Sequence, residues 1–317
     1  MRPTLITTQD IADAQTVIAG RLHRTPIQPS TYLSGQTGAR VYLKLELFQK
    51  TGSFKPRGVL NRLHHMSPEE KSKGVITLSA GNHAQAVAWA AQQEGISATV
   101  IMPANAVQSK VDATRGYGGE VIQTDGNLLE VCQNIQKERG LILVHPFDHP
   151  DIIAGQGTVG QEILEDVPDV DLVIAGVGGG GLISGVSAAI KQTNPEARVI
   201  GVEPEGAPTM TRSMEKKAPV YLDHVDTVAD GLAAPFVGAH NLAHVQTFVD
   251  DLVQISDTEI IQAMWLIIER CKVIAEPAAA STVAALLSGK VTLPEGGQVV
   301  CILSGGNVDR ERLKKMA

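Results

Sequence analysis

The strongest constraint on the fold is a rhythm in the apolar residues. Short, β-branched runs recur along the chain: 74-GVITLSA, 98-ATVIMP, 119-GEVIQT, 141-LILVHP, 171-DLVIAGVG, 197-ARVIGVEP and 298-QVVCILSGG. Gly or Pro bounds them, and stretches of helical length, such as 82–93 and 276–288, lie between most of them. They lack the apolar/polar alternation of a sheet with one wet face, which is the mark of parallel sheets covered on both sides. The predicted class is therefore α/β, with open parallel sheets. A chain of 317 residues is too long for one small core, so two lobes are expected. The four strands between residues 74 and 146 read as a smaller lobe inserted into a larger one made of 1–73 and 147–317. Near the N-terminus, Thr7 with Asp10 three residues on resembles a capping box, and Gly20 supplies a helix stop.

Charge and cysteine usage narrow the function. The net charge of −7 is spread without a basic block, so nucleic acid is not an expected partner. No apolar run reaches membrane-spanning length and MRPTLITTQDIADAQ carries no signal-like core, so a cytoplasmic protein without membrane association is expected. Cys132, Cys271 and Cys301 are far apart and form no metal or disulfide pattern, which predicts buried reduced thiols. His145 and His149 have i,i+4 spacing, but Pro146 interrupts the helix that would align them on a metal.

Four segments carry chemistry. In 49-QKTGSFKPRG, Pro56 suits the first turn of a helix, which puts Lys55 at a helix N-terminus. The positive end of the dipole and partial burial beside Phe54 both favour the neutral amine, and a neutral amine condenses with an aldehyde. In 171-DLVIAGVGGGGLISG a strand runs through Gly178, Gly179, Gly180 and Gly181 into a helix, an arrangement suited to a phosphate. The same letters fit G-x-G-x-x-G from Gly176 to Gly181, with Glu203 ending the next strand, so a dinucleotide is a competing ligand. In 79-SAGNHAQA, Ser79, Asn82 and free N–H groups could hold a carboxylate or, through Asn82, an aromatic hydroxyl. In 303-LSGGN, Ser304 sits at a strand's C-terminal end, where open α/β sheets bind ligands, and could meet a ring nitrogen. The set as a whole suits a phosphorylated aldehyde cofactor.

At this point the chain resembles a known family: the pyridoxal-phosphate enzymes of fold type II, related to tryptophan synthase β, and within them the threonine/serine dehydratases (threonine ammonia-lyases) and serine racemases. The likeness runs from 21-RLHRTPIQPS through S-F-K-x-R-G (53–58), S-x-G-N-H (79–83), 152-IIAGQGTVGQEI, the tetraglycine, 229-ADG, 276-EP and 304-SGGN. It makes the G-x-G-x-x-G match a coincidence of the phosphate loop. It implies that Lys55 binds the cofactor aldehyde with Phe54 beside the ring, and that Asn82 contacts the 3-hydroxyl. Gly178 to Gly181 and the backbone of Leu182 would hold the phosphate, and Ser304 would meet the pyridine nitrogen. The loop Ser79, Ala80, Gly81, Asn82 and His83, on a mobile small lobe, would bind the substrate carboxylate.

The implied reaction is elimination of water from a small β-hydroxy L-amino acid, threonine or serine, to give a 2-oxo acid and ammonia. A neutral Ser304 need not keep the pyridine protonated, and the resulting weaker electron sink favours prompt loss of a β leaving group. Lys55 would take the Cα proton. The resemblance suggests the cofactor phosphate as the acid for the departing hydroxyl. Alternatives within the family are a serine racemase and dehydratases of hydroxyaspartate, phenylserine or a hydroxyectoine-derived amino acid.

Three departures discriminate. Racemases carry a second serine where this chain has Ala80, and a methyl group cannot carry a proton. Metal-binding members have a glutamate, a backbone carbonyl and an aspartate; Glu203 and Ala207 match, but Thr209 replaces the aspartate, so a magnesium or calcium site is weakened. The chain stops soon after 304-SGGNVDRERLKKMA, so feedback by isoleucine through a C-terminal regulatory domain is not expected. Kinship also implies a homodimer or homotetramer acting on a small amino acid.

Overall fold

A computed structural model describes residues 3–317. Two separate sheets organise it. The larger has six strands: β1 (Ile27–Pro29), β2 (Arg40–Leu45), β7 (Leu172–Gly176), β8 (Arg198–Pro204), β9 (Asp251–Ile255) and β10 (Gln298–Leu303), in the order β1-β2-β10-β7-β8-β9. All its pairings are parallel except β1 with β2. The smaller is wholly parallel and consists of β3 (Val75–Leu78), β4 (Ala98–Pro103), β5 (Glu120–Thr124) and β6 (Ile142–Leu143), in the order β5-β4-β3-β6.

The unbroken apolar runs have the expected cause. Along β7, Leu172 and Ile174 enter a core with the helix Pro277–Leu287, while Val173 and Ala175 enter another with the helix Gly181–Thr193. Both faces are dry, so each position needs an apolar residue. Strands β1 and β9 carry no such run and are not among those expected from the sequence. They lie at the sheet edges, where β9 alternates in burial because only one face is covered. The expected strand at 141-LILVHP shortens to two residues before the chain turns toward Pro146.

The capping box of Thr7 and Asp10 is formed, and the first helix, Thr8–Ile18, ends just before Gly20, whose φ of 70° only glycine adopts readily. The helix Lys55–His64 is wedged between the two sheets' layers. Val59, Leu60 and Leu63 pack on Val87, Ala90 and Val75 of the smaller unit. Its other side meets the helix Pro150–Asp166 so closely that a Cβ on Gly58 would lie 2.6 Å from the Ile152 carbonyl.

Beneath that helix lies a charge cluster that the sequence does not announce. Arg57 is fully buried and its guanidinium forks both ways, to Glu46 (2.8 and 2.9 Å) and to Glu162 (2.8 and 2.8 Å). Lys44, also fully buried, donates to Glu162 at 2.6 Å, and the Thr25 hydroxyl donates to Glu46. Two cations and two carboxylates balance, which is what allows four charges into an apolar interior. All three cysteines are free and buried. Among the described residues no helix is long and apolar enough to cross a membrane.

Candidate functional site

The C-terminal ends of β3, β7 and β10 open on a single cavity of about 1110 Å³ between the two sheets. All thirteen residues expected to bind cofactor or substrate line it: Phe54 and Lys55, the loop 79–83, the loop 178–182, and Ser304. Each comes from a strand-to-helix or strand-to-turn junction, where side chains and backbone N–H groups face outward from a covered sheet.

Lys55 opens its helix, with Pro56 in the first turn as expected. Its Nζ donates to the Pro146 carbonyl at 2.9 Å and lies 5.1 Å from the centre of the Phe54 ring. Burial lowers the amine to about 8, against the opposing charge of Glu276. A substantial neutral fraction at neutral pH makes this amine a competent nucleophile. The segment is held in place from the turn after β10: the Phe54 N–H donates to the Ser304 carbonyl at 3.0 Å and the Gly306 N–H to the Gly52 carbonyl at 3.0 Å.

The glycine loop is packed too tightly for side chains. A Cβ on Gly179 would stand 2.3 Å from the Phe147 ring, and one on Gly181 would stand 2.9 Å from the Phe147 Cβ. Gly180 has φ 97° and caps the helix Gly181–Thr193. The first-turn N–H groups of that helix have no intrahelical acceptor and face the cavity with the positive end of the dipole. Phe147 is itself anchored: Asp148 accepts from Ala239 and His240 N–H at 3.1 and 3.0 Å, and Asn241 Nδ2 donates to the Phe147 carbonyl at 3.3 Å.

At the end of β3, Gly81 N–H donates to Ser79 Oγ at 3.1 Å, and Asn82 begins the helix Asn82–Glu94. The Asn82 amide has a defined orientation. Its Nδ2 donates to Glu276 Oε1 at 2.7 Å, and its Oδ1 accepts from Asn307 Nδ2 at 2.8 Å. Glu276 also accepts from Asn307 N–H at 3.1 Å. Burial, and after it the charge of Asp230, raises the Glu276 carboxyl to about 7. Neither Glu276 nor Asn307 is among the site residues expected from sequence. They appear there only within the motifs 276-EP and 304-SGGN, whose spacing says nothing of the contact with Asn82.

Two expectations need correction. The His83 imidazole does not face a ligand as a donor pair; its Nε2 is 3.1 Å from the Val144 carbonyl, and burial lowers it to about 3, leaving it neutral. What residue 83 presents to the cavity is its place in the helix's first turn. Glu203 and Ala207 do not assemble a cation site. Both Glu203 carboxylate oxygens cap the helix Thr209–Lys216, accepting from Met210 N–H (2.6 Å), Thr211 N–H (2.9 Å) and Thr211 Oγ1 (2.6 Å). Thr209 Oγ1 donates instead to the Ala234 carbonyl at 2.6 Å. Among the described residues no group of three or more His, Cys, Asp or Glu side chains could hold a metal. Glu203 is likewise spent as a ribose ligand. His149 caps the helix Pro150–Asp166, and His145 accepts from Phe147 and Asp148 N–H.

The cavity thus offers a nucleophilic amine beside an aromatic ring, an anion cradle without Cβ atoms, an oriented amide and a neutral hydroxyl. That donor set fits a phosphorylated aldehyde on an aromatic ring.

Comparison with known proteins agrees. The profile of the family described as "Pyridoxal-phosphate dependent enzyme" matches residues 18–305. An L-threonine ammonia-lyase of Thermotoga maritima is 46% identical over 96% of this chain and 76% of that protein. The L-threonine dehydratase catabolic TdcB of Staphylococcus aureus is 44% identical over 98% of this chain and 91% of that protein. Among solved structures, maize serine racemase superposes with a TM-score of 0.94 at 40% identity, covering 98% of this chain and 97% of that one.

Proposed function

The chain belongs to the pyridoxal-phosphate dependent enzyme family, and from that premise we propose that it is a lyase that dehydrates and deaminates a small β-hydroxy L-amino acid. The substrates are L-threonine and L-serine, and the products a 2-oxo acid and ammonia. The observation that carries the reading is the convergence of Lys55, the glycine loop, Asn82 and Ser304 on one cavity. Relatives named for threonine deamination at 44–46% identity support the choice of reaction.

When bound, pyridoxal phosphate supplies an electron sink for the pair left at the substrate Cα. The rest is the work of this chain's residues. The N–H groups of residues 178–182 hold the phosphate, Asn82 the 3-hydroxyl and Ser304 the pyridine nitrogen. Phe54 and Phe147 keep water from the ring and the phosphate loop. Ser79, Gly81 and the first turn of the helix Asn82–Glu94 bind the substrate carboxylate. The Lys55 Nζ, its affinity for a proton lowered by burial, takes the Cα proton. Glu276 keeps Asn82 turned the right way round through the 2.7 Å bond.

In this reading residues 74–146 move as a small lobe that closes over the substrate, against a large lobe of 1–73 and 147–317. Ala80, at the cavity wall, offers no hydroxyl for a second proton transfer, which favours elimination over racemisation. The assembly is a homodimer or homotetramer, measurable by sedimentation. The deciding assay is 2-oxo acid release with added pyridoxal phosphate from L-threonine, L-serine and hydroxyaspartate. Rapid turnover of threonine or serine, abolished in Lys55→Ala, is expected; activity surviving in Lys55→Ala would refute the mechanism.

A further inference from the structure

Three points fix an amino acid in this cavity, and the third leads to a surface not yet used. Its nitrogen must approach the Lys55 Nζ, and its carboxylate the turn 79–83. The side chain is left with the remaining wall. That wall begins at the reacting amine, because Lys55 is bonded to the carbonyl of Pro146, between His145 and Phe147. From there a continuous run of rings leads outward. Phe147 lies 5.3 Å from Phe236, and Phe236 stacks at 6.4 Å and 10° on Tyr221. The edge of His145 closes the base, 4.7 Å from Phe147 and 6.1 Å from Phe236.

This wall is apolar and in large part wet. Phe236 is 37% exposed and Tyr221 69% exposed, and both line the cavity. Across the opening stand Val107, 43% exposed, and Leu129, 50% exposed, from the smaller unit. Large apolar side chains left facing water at a cavity mouth mark a surface that a ligand covers. The wall carries no charge at neutral pH, since burial lowers His145 to about 4. The cations at the far side of the mouth are committed: Lys110 and Arg312 both bind Asp230, at 2.9 and 2.6 Å. A second substrate carboxylate therefore finds no unpaired cation among them, whereas an apolar group finds a prepared bed.

We propose that the Phe147–Phe236–Tyr221 wall is a side-chain subsite that extends the substrate range to β-hydroxy amino acids bearing an aryl or other bulky apolar group on Cβ. The proposal rests on the elimination reading above and names the substrate class of that same site. With 3-phenylserine the Cα–H and Cβ–O bonds break and water departs; the released enamine takes up water, giving phenylpyruvate and ammonia. An aryl ring laid on Phe236 gains both buried area and offset stacking.

The experiment measures kcat/KM of the holoenzyme for L-threo-3-phenylserine beside L-serine and L-threonine. Titration calorimetry with L-phenylalanine and L-alanine, which have no β leaving group, runs in parallel. The expected result is a kcat/KM for phenylserine roughly tenfold or more above that for serine, and phenylalanine binding tighter than alanine by a similar factor. In Phe236→Ala the phenylserine-to-serine ratio should fall by about tenfold or more, with Phe236→Tyr restoring it. Turnover of serine and threonine, with phenylserine poorer than serine and phenylalanine bound no better than alanine, overturns the subsite alone. Phenylalanine binding that depends on Phe236, with no turnover of any substrate, supports the subsite and instead sinks the elimination reading.

Discussion

Replacing Arg57 by methionine tests how the catalytic helix is held. The side chain keeps its length and apolar stem but loses the guanidinium, stranding Glu46 and Glu162 opposite Lys44 alone. Arg57 makes four bonds to the two carboxylates, at 2.8, 2.9, 2.8 and 2.8 Å. Counted separately as hydrogen bonds to charged groups, at about 1.5–3 kcal/mol each, they would sum to roughly 6–12 kcal/mol. That sum overstates the loss, because the variant no longer has to desolvate Arg57 itself. The appropriate scale is that of breaking a buried pair and leaving an uncompensated charge, about 3–5 kcal/mol. Against a total stability on the order of 5–15 kcal/mol this is a large fraction. With a urea slope near about 3 kcal/mol per molar, the midpoint should fall by about 1–1.7 M.

The assay is urea unfolding of the apo-protein followed by tryptophan fluorescence, with Trp89 in the smaller unit and Trp265 in the larger as reporters. The pH dependence provides the control. Burial pushes Glu162 up, but the Arg57 hydrogen bond and charge outweigh it and hold the carboxyl below its ordinary range. Its contribution in the unaltered protein is therefore present above the unfolded carboxylate pKa and is lost as pH falls below that value. In the variant the stranded carboxyl is raised instead, so folding gains as pH falls through the raised value. The difference between the two proteins should shrink from pH 8 to pH 5. A loss below about 1 kcal/mol at pH 8, or a difference that grows on acidification, would refute the reasoning.

Three further outcomes are expected. Lys55, lowered to about 8, should capture pyridoxal phosphate in the apo-protein with a rate that rises through about pH 8 and then levels, read from cofactor absorbance; the same shift makes Lys55 add stability as pH rises from about 8 toward its unfolded value, and a midpoint above about 10 would contradict both. Glu276→Ala, which leaves the Asn82 amide without its 2.7 Å acceptor, should weaken pyridoxal phosphate binding by about tenfold, whereas Glu276→Gln keeps an acceptor oxygen and should cost less; equal losses would remove the orienting role. Ala80→Ser should raise D-serine formation from L-serine, measured by chiral chromatography, and an unchanged D-serine yield would mean that residue 80 does not decide between elimination and racemisation.

Some of this molecule is local, and the chain alone determined it. A run such as 171-DLVIAGVG is apolar at every position because β7 is covered on both faces, and this reads directly as a parallel sheet. Pro56 after Lys55, the four glycines after β7 and Thr7 with Asp10 are signals within one turn of backbone, so the helix starts they predict are the ones formed. The resemblance joined these segments to one cofactor.

The tertiary structure decided what depends on residues far apart in sequence. Glu276 meets Asn82 across 194 positions, and Arg57 meets Glu162 across 105; neither pair has a spacing that sequence could disclose. The same holds for Glu203, whose position at a strand end suggested a cation or a ribose. Only the turn of the following helix shows that its two oxygens are consumed by Met210 and Thr211. The aromatic wall is of this kind too, since Phe147, Phe236 and Tyr221 come from two distant loops. Backbone propensity and hydrophobic period act between near neighbours, so a sequence displays them. The pairing of buried charges and the lining of a cavity are set by which surfaces the completed fold brings into contact, and those exist only once the sheets have closed on their helices.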